Sequence, residues 1–298
     1  MKKDLVSLND LSKEEIEKIL DSASFMKQII LSGNKKAPHL QGKSIVTLFY
    51  ENSTRTRMSF ELASKYLGAA SANISASASS VAKGETLIDT GRTLDMMGTD
   101  VIIIRHPMSG AAALLAENVN ASVINAGDGM NEHPTQALLD MFSLREKKGS
   151  LQGLKVAIVG DIFHSRVARS NIIGMSKMGA RVVLAAPGTL MPPGIEKMGA
   201  EIASSADQAV KDADAVMGLR IQKERQQAGL LPSLREYYNY YAVIMHPGPM
   251  NRGVEISSAV ADSGQSIINE QVRSGVAVRM ALLHILAHSK EKKDGIIN

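Results

Sequence analysis

The chain is 298 residues long and 44% hydrophobic, with a formal net charge of +4 and no cysteine. The missing thiols exclude disulfides, thiolate nucleophiles, CxxC redox chemistry and cysteine-bound zinc, so catalysis falls to oxygen, nitrogen or backbone groups. The small positive charge comes without lysine or arginine blocks, and six tyrosines, five phenylalanines and no tryptophan make a poor stacking platform; no nucleic-acid partner is expected, although an anionic substrate would suit.

The start, MKKDLVSLND, has no apolar signal core, and runs such as 101–104 are far too short to span a bilayer, so a cytoplasmic location without a membrane partner is expected. Ser12 with Glu15 three residues later, then Ile16, Ile19, Leu20, Ala23 and Met26 at helical spacing, predicts a capped amphipathic helix. Short apolar runs at 44–50, 72–75, 101–105 and 122–125 are each followed by a helix-like segment, the signature of a parallel sheet built from βα units. The polar, glycine-punctuated stretch KKGSLQG at 147–153 marks a domain boundary. Beyond it, strands near 155–160, 181–185, 214–218 and 242–245 restart the alternation. An amphipathic helix over about 269–288 closes the chain, and one reading has it cross back to the first domain. The expected class is α/β, with two doubly wound parallel-sheet domains at 1–148 and 149–298.

In open parallel sheets, ligands bind beyond the carboxyl ends of the strands. The first such place is ENSTRTR at 51–57, where a strand turns into a helix and Ser53, Thr54, Arg55, Thr56 and Arg57 crowd the helix's positive end. The structural alternative makes Ser53 an ordinary cap and leaves the arginines solvated. Against it, cations oppose the dipole there unless an anion offsets the repulsion, and phosphate is the natural anion. Arg105 follows Val101, Ile102, Ile103 and Ile104 without a break, at the carboxyl edge of a strand; alone it would be a snorkelling surface charge. His133 precedes Pro134, Thr135 and Gln136, with proline suited to a helix's first position. It is either a passive residue of a capping turn or a hydrogen-bond donor to a carbonyl oxygen.

His246, Pro247, Gly248 and Pro249 form either a plain rigid turn or a stiff loop whose carbonyl oxygens suit an incoming NH₂ group. Arg166 and Arg220, each just past an apolar run, with Gln222 two residues beyond Arg220, suit a small dicarboxylate through bidentate pairing. The serine-rich stretch from Ser75 to Lys83 reads by composition as a flexible linker, or as a loop whose lysine closes over an anion.

Together FYENSTRTR at 49–57, SxxxKGET from Ser79 to Thr86, Arg105, HPTQ at 133–136, GDIFHSR at 160–166, RIQKER at 220–225 and HPGPMNRG at 246–253 resemble the aspartate carbamoyltransferase family, catalytic chain, nearly end to end. The resemblance implies transfer of a carbamoyl group from carbamoyl phosphate to L-aspartate in pyrimidine synthesis, with no metal or organic cofactor, and an active site in the cleft between two closing domains. It implies that Ser53, Thr54, Arg55, Thr56 and Arg105 hold the phosphate and that Thr56, Arg105 and His133 polarise the carbamoyl oxygen. Gln136 and the carbonyls of Pro247 and Gly248 would hold the carbamoyl NH₂. Arg166 would take the α-carboxylate of aspartate, and Arg220 with Gln222 its side-chain carboxylate. Ser79 and Lys83 would reach a neighbouring subunit's site, Lys83 touching both substrates, which implies a homotrimer with shared active sites; a regulatory chain or a dihydroorotase is a candidate further partner. Phe163 and Gly248 sit where relatives vary, and the segment after Arg225 is short.

Three rivals stand beside this reading. An ornithine enzyme shares the SxRTR turn but has a cysteine in an HCLP loop, and this chain has none. A nicotinamide-dependent dehydrogenase should carry GxGxxG and an acidic residue ending the next strand, whereas here the turn is Gly160, Asp161, Ile162, Phe163, His164 and the next strand ends Ala185, Ala186, Pro187. A catalytically silent scaffold would have no use for an intact set of polar site residues.

Overall fold

The computed structural model describes residues 2–75, 84–220 and 242–288. Ser79, Lys83 and Gln222 lie outside the described residues. Two compact units emerge, Met1–Thr135 with Arg273–Asn298, and Gln136–Val272.

The first unit opens with helix α1 (Lys13–Leu31), whose start is a full capping box: the Ser12 hydroxyl accepts from the Glu15 amide while the Glu15 carboxylate accepts from the Ser12 amide. Then come β1 (Ser44–Phe49), α2 (Thr54–Tyr66), β2 (Ala70–Ser75), α3 (Leu87–Met96), β3 (Val101–His106), α4 (Ala111–Asn118) and β4 (Ser122–Asp128). The four strands are parallel, in the order β2-β1-β3-β4. Val46, Leu48, Ile102, Ile104 and Val123 pack on Leu94 and Leu115 from α3 and α4, so the sheet carries helices on this face and its strands read as unbroken apolar runs.

Helix α5 (Pro134–Lys148) leads into the second unit, which continues with β5 (Lys155–Val159), α6 (Arg166–Lys177), β6 (Arg181–Ala185), β7 (Ala200–Ile202), α7 (Ala206–Val210), β8 (Ala215–Gly218), β9 (Val243–Met245) and the single turn α8 (Ser258–Ala261). Its five parallel strands are ordered β7-β6-β5-β8-β9. Strand β7 went unread in the sequence because it is three residues long and both Glu201 and Ile202 are exposed. The closing helix, α9 (Ile268–Ala287), begins in the second unit; its later residues belong to the first, where Arg279 donates to the Ser59 hydroxyl at 3.0 Å and lies over the Phe60 ring.

Each sheet reverses its strand order once, between β1 and β3 in the first unit and between β5 and β8 in the second. At such a reversal the crossover connections leave on opposite faces and open a crevice at the carboxyl ends of two hydrogen-bonded strands. Both crevices fall where the sequence placed its densest polar residues.

Candidate active site

In the first unit, β1 delivers the chain into the 51–53 turn and α2 starts at Thr54. Ser53 holds the N-cap position with extended backbone (φ −156°, ψ 99°), yet its side chain makes no capping hydrogen bond. Nor does the first turn of α2 carry an acidic residue, in contrast to Glu14 and Glu15 at the start of α1. The helix therefore presents amide donors and a positive dipole end without the usual compensation. Arg55 and Arg57 are exposed, and Thr56 is buried on the inner side of the same turn.

Across the strand reversal, Arg105 pairs in register with Phe49, and its carbonyl accepts the Tyr50 amide at 2.8 Å, so β3 ends beside the turn that leaves β1. Its Nε donates to Glu51 Oε2 at 3.0 Å, with both side chains largely buried. Arg105 and the Ser53 turn thus share one end of one sheet, tied by a carboxylate from the turn itself.

His133 immediately precedes α5 and is 4% exposed, its Nδ1 3.5 Å from the Thr135 hydroxyl. The loop before it is braced by Asp128, a residue that the sequence reading passed over. The Asp128 carboxylate accepts from the amides of Gly110 and Glu132 and from the side-chain amides of Asn125 and Asn131. Gly129 lies at φ +50°, and a Cβ there would sit 2.7 Å from the Ser109 amide nitrogen, so only glycine lets the two loops approach this closely. The signal for Asp128 in the sequence was its place at the end of a buried strand beside two asparagines.

In the second unit, Arg166 is the first residue of α6, behind a Ser165 cap that accepts from the Ala168 amide at 3.1 Å, and it is buried. The Asp161 carboxylate accepts from the His164 amide and lies 2.9 Å from its Nδ1, which shapes the turn between β5 and α6. Arg220 follows β8, and the Leu219 amide before it donates to the Val159 carbonyl at 2.9 Å. Gly160, at φ +128°, lets the two strand ends close up: a Cβ there would lie 3.1 Å from the Leu219 carbonyl oxygen. Arg220 and the turn that leads to Arg166 therefore follow adjacent strands at the second reversal. Gln222, expected beside Arg220, is beyond the described residues, as are Ser79 and Lys83.

Gln136, on the first turn of α5, donates its side-chain amide to Asp140 at 2.9 Å. After β9, His246 Nδ1 accepts from the Gly248 amide at 2.8 Å, which leaves the ring proton on Nε2, 3.3 Å from Glu255 Oε1. Burial pushes the Glu255 carboxyl up, but the His246 imidazole beside it and hydrogen bonds from Asn251 outweigh that and hold it below its ordinary range. Gly248 takes φ +64°, a conformation suited to glycine, and the Gly248–Pro249 bond is cis. Among the described residues, no three histidine, aspartate or glutamate side chains cluster so as to hold a metal ion.

One strand reversal thus gathers a helix start without capping or acidic compensation, hydroxyls and guanidinium groups, and at the other Arg166 and Arg220 follow two adjacent strands. The chain belongs to the aspartate/ornithine carbamoyltransferase family: the family model for the carbamoyl-P binding domain matches residues 3–146 and that for the Asp/Orn binding domain matches 152–286. An aspartate carbamoyltransferase catalytic subunit from Acetivibrio thermocellus is 68% identical over 297 residues, covering 95% of each chain. Among solved structures, aspartate transcarbamoylase from Trypanosoma cruzi in complex with aspartate and phosphate is similar with a TM-score of 0.83 at 32% identity, over 94% of each chain. Ornithine carbamoyltransferase from Pyrococcus furiosus is similar with a TM-score of 0.84 at 31% identity, over 94% of this chain and 95% of that one. The fold alone therefore does not separate the two acceptors; the high sequence identity does.

Proposed function

We propose that the residues gathered at the two strand reversals carry out the reaction of the family's aspartate branch. The chain transfers the carbamoyl group of carbamoyl phosphate to the amine of L-aspartate, giving N-carbamoyl-L-aspartate and phosphate, in de novo pyrimidine biosynthesis. One observation carries the residue assignment: an N-cap serine without a capping bond, at an α2 start lacking acidic residues, beside Arg105 on the neighbouring strand.

In this reading Ser53, Thr54, Arg55, Thr56 and Arg105 bind the phosphate, while Thr56, Arg105 and His133 donate to the carbamoyl oxygen. Gln136 and the carbonyls of Pro247 and Gly248 accept from the carbamoyl NH₂. Arg166 binds the α-carboxylate of aspartate, and Arg220 with Gln222 binds its side-chain carboxylate. The amine lone pair attacks the carbamoyl carbon and the carbonyl π electrons move onto oxygen, where the donors stabilise them. Collapse breaks the carbon–oxygen bond to phosphate, which leaves with its electron pair and takes the amine proton. Residues 1–148, with the closing helix packing back on them, form the carbamoyl phosphate half and the rest of 149–298 the aspartate half; family-model matches ending at 146 and starting at 152 support the boundary, and the grouping of Arg273–Asn298 with the first unit supports the return of the helix.

Ser79 and Lys83 act in a neighbouring copy's site, making the working form a homotrimer, with a regulatory chain or a dihydroorotase as candidate further partner. The cytoplasm is the proposed place of action; among the described residues no helix is long and apolar enough to cross a membrane. The deciding assay is phosphate release from carbamoyl phosphate with aspartate offered against ornithine. Turnover with aspartate alone is expected, and turnover with ornithine alone would overturn the assignment. Sharing is tested by mixing Arg55→Ala chains with Lys83→Ala chains: activity should return, because some sites then hold an intact residue of each kind, and failure in verified mixed trimers refutes it.

A further inference from the structure

We propose that Asp140 is a positioning residue for the carbamoyl NH₂, an inference that rests on the roles given above to Gln136, Pro247 and Gly248. Asp140 is fully buried, and three side-chain amides from three helices converge on it. Its Oδ1 accepts from Gln136 Nε2 of α5 at 2.9 Å and from Gln271 Nε2 of α9 at 2.7 Å, and its Oδ2 accepts from Asn171 Nδ2 of α6 at 2.8 Å.

A side-chain amide has one donating and one accepting end, so whatever holds the NH₂ decides where the oxygen goes. With its NH₂ on Asp140, Gln136 keeps Oε1 as the end available for a ligand, and an acceptor is what a carbamoyl NH₂ requires. Gln271, held the same way, uses its own Oε1 to accept the His246 amide at 3.0 Å. Every backbone donor of the 246–249 loop is then committed: His246 to Gln271, Gly248 to the His246 ring, and the two prolines have none. Carbonyl oxygens are what the loop has left to offer. One carboxylate thus sets the polarity of both the side chain and the loop that face the same NH₂, and it does so from outside the reacting atoms.

The test exploits a substrate analogue lacking that NH₂. Acetyl phosphate carries a methyl group in its place and should compete for the same site without using the Gln136 or loop acceptors. In Asp140→Leu, which keeps about the size but removes both carboxylate oxygens, the Gln136 and Gln271 amides lose the shared acceptor that fixes their polarity. The KM for carbamoyl phosphate should rise by about tenfold, the loss of one good hydrogen-bond geometry, while the Ki of acetyl phosphate stays within about twofold. A purely structural role predicts that both constants worsen together or that neither moves, and either result overturns the proposal. If Asp140→Leu does not fold, Gln271→Met decides on the same criterion, since it frees the His246 amide and removes one donor from Asp140. Gln136→Ala separates the two layers of argument. If it too leaves the carbamoyl-to-acetyl ratio unchanged, the reading of Gln136 fails; if it lowers the ratio and Asp140→Leu does not, the Asp140 proposal alone fails.

Discussion

Replacing Ser53 by alanine separates a capping serine from a ligand-binding one. A serine that caps a helix stabilises it by about 1 kcal/mol, which corresponds to roughly 2–4 °C in Tm for a domain of this size. Ser53 occupies the N-cap position but makes no side-chain cap bond, and it is partly exposed, so its removal neither uncaps α2 nor opens a cavity. Ser53→Ala should therefore leave stability within about 0.5 kcal/mol of the parent. Binding is a different matter. A hydrogen bond to a charged phosphate oxygen is worth about 1.5–3 kcal/mol, so kcat/KM for carbamoyl phosphate should fall by about 10- to 150-fold.

The internal control is Ser12→Ala. Ser12 makes both halves of a capping box at the start of α1, and its loss should lower Tm by the degrees just given while leaving kcat/KM unchanged. Thermal melting followed by circular dichroism, together with initial-rate phosphate release, reads both quantities on the same preparations. If Ser53→Ala melts early like Ser12→Ala and keeps its kcat/KM, the hydroxyl is a cap after all, and the phosphate assignment of the turn loses its main support.

For His133→Ala, kcat should fall by roughly 10²–10³ with the melting curve preserved, the loss of one donor to a developing oxyanion; a chain that no longer folds would assign His133 to the packing instead. Gly160→Ala combines a left-handed φ of +128° with a Cβ 3.1 Å from the Leu219 carbonyl oxygen. It should cost about 1–3 kcal/mol in denaturant unfolding and raise the KM for aspartate, because relief must come from shifting the residue next to Arg220. Stability should also fall as the solution is acidified. Burial, with His288 and His39 adding to it, holds His284 below its ordinary 6.5, so below about that pH the unfolded chain takes up a proton that the folded chain resists. Stability is complete above this value and is lost as pH drops through it toward the lower folded value. Comparing Tm across that range for the parent and His284→Gln should show a shallower slope in the variant, and equal slopes would exclude His284 as a cause.

What the sequence made legible follows from how locally each feature is encoded. Strands β1, β3 and β4 are buried on both faces, so their apolar runs were visible as runs, and the polar residues ending them could be placed at the sheet's carboxyl edge without knowing the strand order. The strand order, which puts Arg105 beside the Ser53 turn and the end of β5 beside the end of β8, depends on pairing between segments far apart in the chain. The rotamer that keeps the Ser53 hydroxyl off the helix was equally hidden, since a capping and a ligand-binding serine are the same letter at the same position. Asp140 shows the limit most clearly. Its contact with Gln136 lies one helical turn away and could have been read from QALLD, but the partners that give it meaning come from Asn171 and Gln271, 31 and 131 residues distant. A buried aspartate on an otherwise apolar helix face demands partners that sequence cannot name. Such a residue, conspicuous by burial and unexplained by its neighbours in sequence, is where folded structure adds most to the reading of a recognisable active site.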